Sequence, residues 1–280
     1  MKKWASLLLV LVLTLALAAC GNNKDEEKDT ASNANEEKKE LKIGATSGPF
    51  ADMVKKAIQP SLEKAGYKVE VVEFSDYVQP NLALSNGSID ANLFQHKYYM
   101  ETFAKENNLQ LSELIVVPTA PMGIYSKQYK SLDEIKDGTS IAVPNDPSNM
   151  ARALKILVDA KLIEVDPSAN QLTLSEKDVT SNPKNIQIKP LEAAQLPRAT
   201  DSVDLSAVPG NFAIAAKMKI EDAIAVENMP DEYRNRVVVD TKNVDAQFAK
   251  DIKAAVESDE FEAVIDKEFK GFGKPEWMKK

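Results

Sequence analysis

Cysteine and histidine each occur once, as Cys20 and His96, and arginine occurs only four times, at 152, 198, 234 and 236. A single cysteine cannot close an internal disulfide. A zinc site of the usual His and Cys type lacks its ligands, so neither metal nor cofactor is expected. Cys–His nucleophile chemistry is disfavoured for the same reason, and a Ser-His-Asp triad would have to be built on His96. Counting leaves a carboxylate-only site open, but Asp90, Asp146 and Asp204 lie in no recognisable catalytic motif. The chain therefore reads as a non-enzyme, with a surface hydrolase or transferase, or a structural adhesin, as the rival classes. Net positive charge is missing too. The formal charge is −8 and becomes −10 once Lys2 and Lys3 are removed, which makes nucleic acid and anionic lipid poor partners.

No apolar run reaches the ~20 residues of a comfortable membrane span. Leu7 to Ala19 is apolar apart from Thr14, follows Lys2 and Lys3, and ends in Leu17-Ala18-Ala19-Cys20. A basic start, a short apolar run and small residues before a cleavage point mark a signal peptide over residues 1–19. A cysteine directly after those small residues resembles the lipoprotein signal, which implies lipidation of Cys20. An ordinary signal peptide that happens to end in cysteine is the alternative. Between 21 and 40 no aliphatic residue is larger than alanine. Such a stretch cannot bury enough apolar surface to order itself. Residues 20–40 are read as a flexible tether with a reach of roughly 25 Å. A solvated helix there would have no apolar stripe to dock.

The remaining ~240 residues suit one large domain or two lobes. Leu41 to Ala45 reads as a strand. Phe50, Met53, Val54, Ala57, Ile58 and Leu62 have helical spacing. Pro60 interrupts that helix and is expected to kink it, and Gly66 to end it. Lys68 to Phe74 is a second strand, completing the β-α-β signal of a parallel sheet. Helices follow around Pro80 to Asn86 and from Tyr98 to Asn107, then a strand from Leu114 to Val117. A second block begins near Pro121. It holds strands at Gly123 to Ser126, Ile141 to Pro144 and Asp204 to Val208. The Ser131 to Glu134 spacing is that of a capping box. Ala246 to Phe269 reads as one helix that returns to the first block. The fold class expected is α/β, two-lobed, with a ligand cleft between the lobes. Lobe 1 is 41–118 plus 228–280 and lobe 2 is 119–227.

Three constellations are candidates for holding a ligand. At Val143 to Arg152 a strand feeds into a helix N-terminus, with Asp146 at the cap and Pro147 at the first position. Free N–H groups and the helix dipole favour an anion there. Asn149 and Arg152 are three apart and share one helix face. A guanidinium can grip a carboxylate with two hydrogen bonds. Spacing alone leaves open a capped surface helix with a solvated Arg152. The second candidate is Tyr77 with Phe94-Gln95-His96-Lys97-Tyr98-Tyr99. Phe94 and His96 share one side if the segment is extended, and rings with polar tips suit a mostly apolar pocket. Equally, Phe94 and Tyr98 could be core and His96 a satisfied structural residue. The third is the Pro209-Gly210-Asn211 turn, which either presents Asn211 to a cleft or is only a turn.

At Ser75 to Val78, Gly87 to His96, Val143 to Asn149 and Leu191 to Arg198 the chain resembles the methionine-binding lipoproteins of methionine ABC importers, the NlpA lipoprotein family. The resemblance implies two α/β lobes closing on an amino acid. Asn149 and Arg152 would hold its α-carboxylate, and Tyr77, Phe94, His96 and Tyr99 would line the rest. It also implies a monomer, lipid-anchored on the extracytoplasmic face of the membrane, that delivers its ligand to an ABC permease. Two departures stand out. The family usually has Pro-Tyr where this chain has Tyr98-Tyr99, and an asparagine where it has Pro209. Proline offers neither N–H nor amide, and Asn211 is the nearby group that could compensate. Methionine is the leading expectation. Another apolar amino acid and a methionine-containing dipeptide are the alternatives.

Overall fold

In the computed structural model, which describes residues 39–279, the first strand is β1 (Glu40–Thr46). Its inward residues Leu41, Ile43 and Ala45 are fully buried, while Lys42 faces solvent. Helix α1 (Pro49–Met53) passes through a π-turn (Val54–Ile58) into α2 (Gln59–Lys64). The wider turn sits just ahead of Pro60, whose ring would crowd a carbonyl one turn back and which has no N–H to donate. The expected kink is therefore a π-turn. Gly66 ends the segment at φ 92°, a left-handed conformation that glycine adopts without strain.

The chain continues through β2 (Lys68–Phe74), α3 (Gln79–Ser85), β3 (Ala91–His96), α4 (Lys97–Asn107) and β4 (Leu111–Val116). A second series follows: β5 (Gly123–Tyr125), β6 (Ser140–Pro144), α5 (Pro147–Asp159), β7 (Glu164–Val165), β8 (Val179–Ser181) and β9 (Gln187–Leu191). It closes with α6 (Leu196–Ala199), β10 (Leu205–Val208), α7 (Gly210–Ala215) and β11 (Ala225–Val226). Last come β12 (Asn235–Asp240), α8 (Gln247–Val256) and α9 (Asp259–Glu268).

Two five-stranded sheets result. The first runs β2-β1-β3-β12-β4 and the second β11-β5-β10-β6-β9, with β7 and β8 as a separate pair. β1 is parallel to β2 and β3, and β6 is parallel to β9 and β10, as βαβ crossovers require. β12 returns to the first sheet antiparallel to both neighbours. The chain thus passes between the sheets twice, after β4 and after β11. Each sheet has its own apolar core. Ile43, Leu93, Val237, Phe248, Ile252 and Phe261 belong to the first, and Ile124, Ile141, Leu154, Leu157 and Leu205 to the second. A third, aromatic cluster around Tyr77, Phe94, Tyr99 and Phe212 lies between them.

Three expectations need correction. Residues 246–269 form two helices, because the Ser258 hydroxyl accepts from the Phe261 N–H at 3.1 Å and starts α9 afresh. The Ser131 capping box does not form. Ser131 Oγ accepts from Asp133 N at 3.2 Å, the Glu134 carboxylate accepts from Lys130 N at 3.0 Å, and only a single 3-10 turn results. The tether ends before residue 40, since Glu40 already pairs with Lys68 in the sheet. The signal segment, most of the tether and Cys20 lie outside the described residues.

Candidate functional site

Asp146 caps α5. Its Oδ1 accepts the Asn149 backbone N–H at 2.9 Å, and Pro147 supplies a φ already suited to the first turn. The Asn149 side chain folds back so that Nδ2 donates to both Asp146 oxygens, at 3.1 and 3.0 Å. That contact fixes which way the amide points, with Oδ1 turned to the cleft. There Oδ1 accepts from Arg152 Nη1 at 2.8 Å and from His96 Nε2 at 3.1 Å. Burial pushes the Asp146 carboxyl up from its usual range, partly offset by the hydrogen bonds from Asn149.

Arg152 is 5% exposed and points inward. Its Nε donates to Glu227 Oε2 at 2.9 Å and its Nη2 to Glu227 Oε1, a fork-on-fork pair. Burial opposes the charge of Arg152, and the Glu227 carboxylate outweighs it, so the guanidinium stays protonated. The guanidinium also lies 5.4 Å from the Tyr233 ring centroid. Three of its nitrogens already donate, to Glu227 and Asn149. Of the five N–H groups of a guanidinium, two remain for a ligand.

The opposite wall comes from the first sheet. β3 is extended, so Phe94 and His96 point the same way, and both are buried at 2% exposure. His96 also caps α4: its Nδ1 accepts the Tyr99 N–H at 3.2 Å. With Nδ1 accepting, the ring proton sits on Nε2 and is donated to Asn149. Burial, reinforced by the Arg152 charge, holds the imidazole well below its ordinary pKa, so it is neutral. Tyr99 donates its hydroxyl to the Tyr77 carbonyl at 2.8 Å, and Tyr77 donates to Asn211 Oδ1 at 2.6 Å. Burial raises the pKa of both phenols well beyond the ordinary value. The Tyr77 ring lies 4.9 Å from Phe212 and 5.8 Å from both Phe94 and Tyr99, centroid to centroid. Tyr98 is set back from the cleft and packs edge-on against Tyr233 at 5.1 Å.

The third wall is the turn into α7. A Cβ on Gly210 would lie 2.6 Å from the Ala120 and Pro121 carbonyl oxygens, so only glycine lets this turn approach the first crossing segment. Asn211 Nδ2 is sealed from solvent and has no partner. A buried amide donor without an acceptor costs about 1–3 kcal/mol, and here it belongs to a residue of the cavity wall.

Together these walls line one pocket of about 330 Å³ with its solvent-filled mouth included, closed down inside to little more than the room of a water molecule. Tyr77, Phe94, His96, Tyr99, Asn149, Arg152 and Asn211 all line it. Sequence reasoning missed Phe50, Thr119, Ala120 and Asn235, which also line it, and Glu227 and Phe212, which stand behind it. No local motif marks these residues. Glu227 was findable only through the rule that a buried guanidinium needs a carboxylate somewhere. Among the described residues no cluster of three His, Cys, Asp or Glu could hold a metal ion, and no helix is long and apolar enough to cross a membrane.

Residues 41–277 match the sequence model of the NlpA lipoprotein family. The chain is 38% identical over 240 residues to the D-methionine-binding lipoprotein MetQ of Escherichia coli K12, covering 85% of this chain and 88% of that protein. The probable D-methionine-binding lipoprotein MetQ of Vibrio cholerae is 38% identical over 238 residues, covering 85% and 88%. Among solved structures, the methionine-binding protein MetQ superposes with a TM-score of 0.80 at 37% identity, over 85% of this chain and 99% of that one. A nutrient-binding protein from Burkholderia cenocepacia, solved bound to methionine, superposes with a TM-score of 0.79 at 37% identity, over 82% and 97%. The two-lobed α/β fold is common to all of these structures. Because the family match runs through every segment that forms the cavity, the chain belongs to the NlpA lipoprotein family.

Proposed function

We propose that this chain is an extracytoplasmic solute-binding protein that captures methionine, or a closely related apolar amino acid, and hands it to an ABC permease. The observation that carries the reading is the pairing, in one cavity, of a buried guanidinium with an aromatic enclosure. The two uncommitted N–H groups of Arg152 take the α-carboxylate, and Asn149 holds the guanidinium in place. Tyr77, Phe94 and Tyr99 enclose the apolar side chain. His96 keeps Asn149 oriented, and Asn211 Nδ2 offers a further donor. No bond of the ligand is made or broken. Closure is driven by the difference in ligand affinity between open and closed forms. Lobe 1 comprises 41–118 and 228–280, lobe 2 comprises 119–227, and the chain is monomeric. Cys20 carries the lipid anchor after removal of residues 1–19, which keeps the protein on the outer face of the membrane.

Native mass spectrometry of the freshly purified chain, followed by calorimetry with L- and D-methionine, tests this. Expected are an amino-acid-sized mass increment and saturable binding of at least one enantiomer. A chain that carries no small molecule and binds neither enantiomer overturns the reading.

A further inference from the structure

Glu227 plays no part in the reading above except as the partner of Arg152, yet its placement is tightly determined. It follows β11, at the start of the second crossing between the sheets. Its backbone N–H donates to the Met122 carbonyl at 3.0 Å, and its Oε1 accepts the Met122 N–H at 2.6 Å. Met122 lies at the end of the first crossing. The carboxylate is thus clamped to both crossing segments before it meets Arg152. The Glu227 and Arg152 side chains are each only 6% exposed, so water screens neither charge well.

We infer that Glu227 is the positioning residue that sets the charge preference of the site, by neutralising Arg152 so that the cavity selects a ligand of zero net charge. The inference rests on the proposed carboxylate contact to Arg152. The other groups on the cavity wall do not change the balance. His96 is neutral by its hydrogen bonds, with Nδ1 accepting and Nε2 donating, and Tyr77 and Tyr99 are protonated donors. Asp146 is held by Asn149 and Ser148, and its charge, felt at Tyr77, Tyr99 and Arg152, acts in the same sense as that of Glu227. With Glu227 in place the ligand meets two free guanidinium N–H groups but no uncompensated positive charge. A zwitterion can then place its ammonium in the same cavity without repulsion. Were Glu227 uncharged, the full Arg152 charge would repel that ammonium and favour an anion.

The test uses the full chain, purified in detergent, and two probes of nearly equal shape. These are L-methionine, of zero net charge, and 4-(methylthio)butanoate, which lacks the amine and is anionic. Calorimetry gives the ratio of their dissociation constants. In Glu227→Gln the ratio is expected to shift at least about tenfold toward the anion. Glu227→Asp keeps the charge and is expected to retain the original preference. Arg152→Met combined with Glu227→Gln removes both charges. It is expected to weaken both ligands yet restore the original ratio, and having no unpaired charge it serves if the single variant fails to fold. Equal weakening of both probes in Glu227→Gln, or a shifted ratio in the double variant, overturns the inference while leaving methionine binding standing. A wild-type chain that binds no amino acid overturns the proposed function, and this inference with it.

Discussion

His96 reaches Asn149 across the cleft, with Nε2 and Oδ1 3.1 Å apart. One residue ends β3 in the first sheet and the other sits in the first turn of α5, so this hydrogen bond, like that from Tyr77 to Asn211, joins the two halves of the cavity. The bond requires the proton on Nε2 and a vacant Nδ1. Burial and the nearby Arg152 both hold the imidazole well below its ordinary value of 6.5. In the unfolded chain His96 takes up a proton near pH 6.5, and in the folded chain it resists. Its contribution to stability is therefore intact above that value and is lost as pH falls below it, until the depressed folded value is reached. Urea midpoints measured from about pH 7.5 down to about pH 5 are expected to fall. In His96→Gln the slope in this window is expected to be shallower by up to one proton, or about 1.4 kcal/mol per pH unit. Parallel slopes for the two proteins would show that His96 is protonated equally in both states.

Arg152→Ala combines a binding loss with a stability loss. The variant removes the proposed carboxylate contact, so the affinity for L-methionine is expected to drop by at least about a hundredfold, in line with the loss of a charge-assisted buried contact. It also leaves Glu227 buried without its partner, which costs about 3–5 kcal/mol. Calorimetry reads the first effect and chemical denaturation the second. Unchanged affinity with reduced stability would assign Arg152 a purely structural role.

How far the site could be read beforehand depended on how local its signals are. Asp146, Pro147, Asn149 and Arg152 fall within seven residues, and cap chemistry and helix spacing put Asn149 and Arg152 on one face behind the Asp146 cap while leaving open whether that face was buried. Phe94 and His96 fall on one side of β3, as their spacing implied for an extended segment, but alternation alone left open whether they were core or cavity. Glu227 contacts Arg152 from 75 residues away, and nothing in the Ala225-Val226-Glu227 segment distinguishes a buried carboxylate from a solvated one. The fold was legible where one element follows another directly. The π-turn before Pro60 was not, because a proline in a helical pattern says that the ladder must give way but not in what manner. The break at Ser258 was a missed signal, since a serine followed by Asp259 and Glu260 is an ordinary helix start.

Gly48 tests whether closure governs affinity. It precedes α1 and has φ 97°, and a Cβ there would lie 2.9 Å from the Cβ of Ala215 in α7, on the other side of the cleft. Gly48→Ala brings backbone strain of about 1–3 kcal/mol in any state, since φ 97° with ψ −137° is a conformation that essentially only glycine adopts, plus a clash that exists only when the lobes are together. Its affinity for methionine is expected to fall by about tenfold or more, and scattering with ligand present should give a larger radius of gyration than wild type. Wild-type affinity and radius in a folded Gly48→Ala protein would show that the α1–α7 contact does not govern closure.

The resemblance to the family implies an asparagine at the place of Pro209, and the local backbone shows what putting one there would do. Pro209 is the N-cap of α7, at φ −56° and ψ 136°. Asparagine is among the best residues for that position, because its side-chain oxygen can accept an N–H of the first turn. Gly210 and Asn211, the first two residues of α7, line the cavity beside it. Pro209→Asn is therefore expected to fold with stability within about 1 kcal/mol of wild type, the gain of a cap offsetting the loss of proline rigidity. If its amide turns to the cavity it adds a donor beside Asn211 Nδ2, and the affinity for methionine should rise by about five- to tenfold, equivalent to one modest hydrogen bond. Calorimetry on Pro209→Asn, Asn211→Ala and the double variant separates the two amides. If Asn211 has taken over the family asparagine's role, Asn211→Ala loses binding and Pro209→Asn recovers part of it. If Asn211→Ala binds methionine as wild type does, the unpartnered Nδ2 is not a ligand contact, and the role of Asn211 is confined to accepting the Tyr77 hydroxyl through Oδ1.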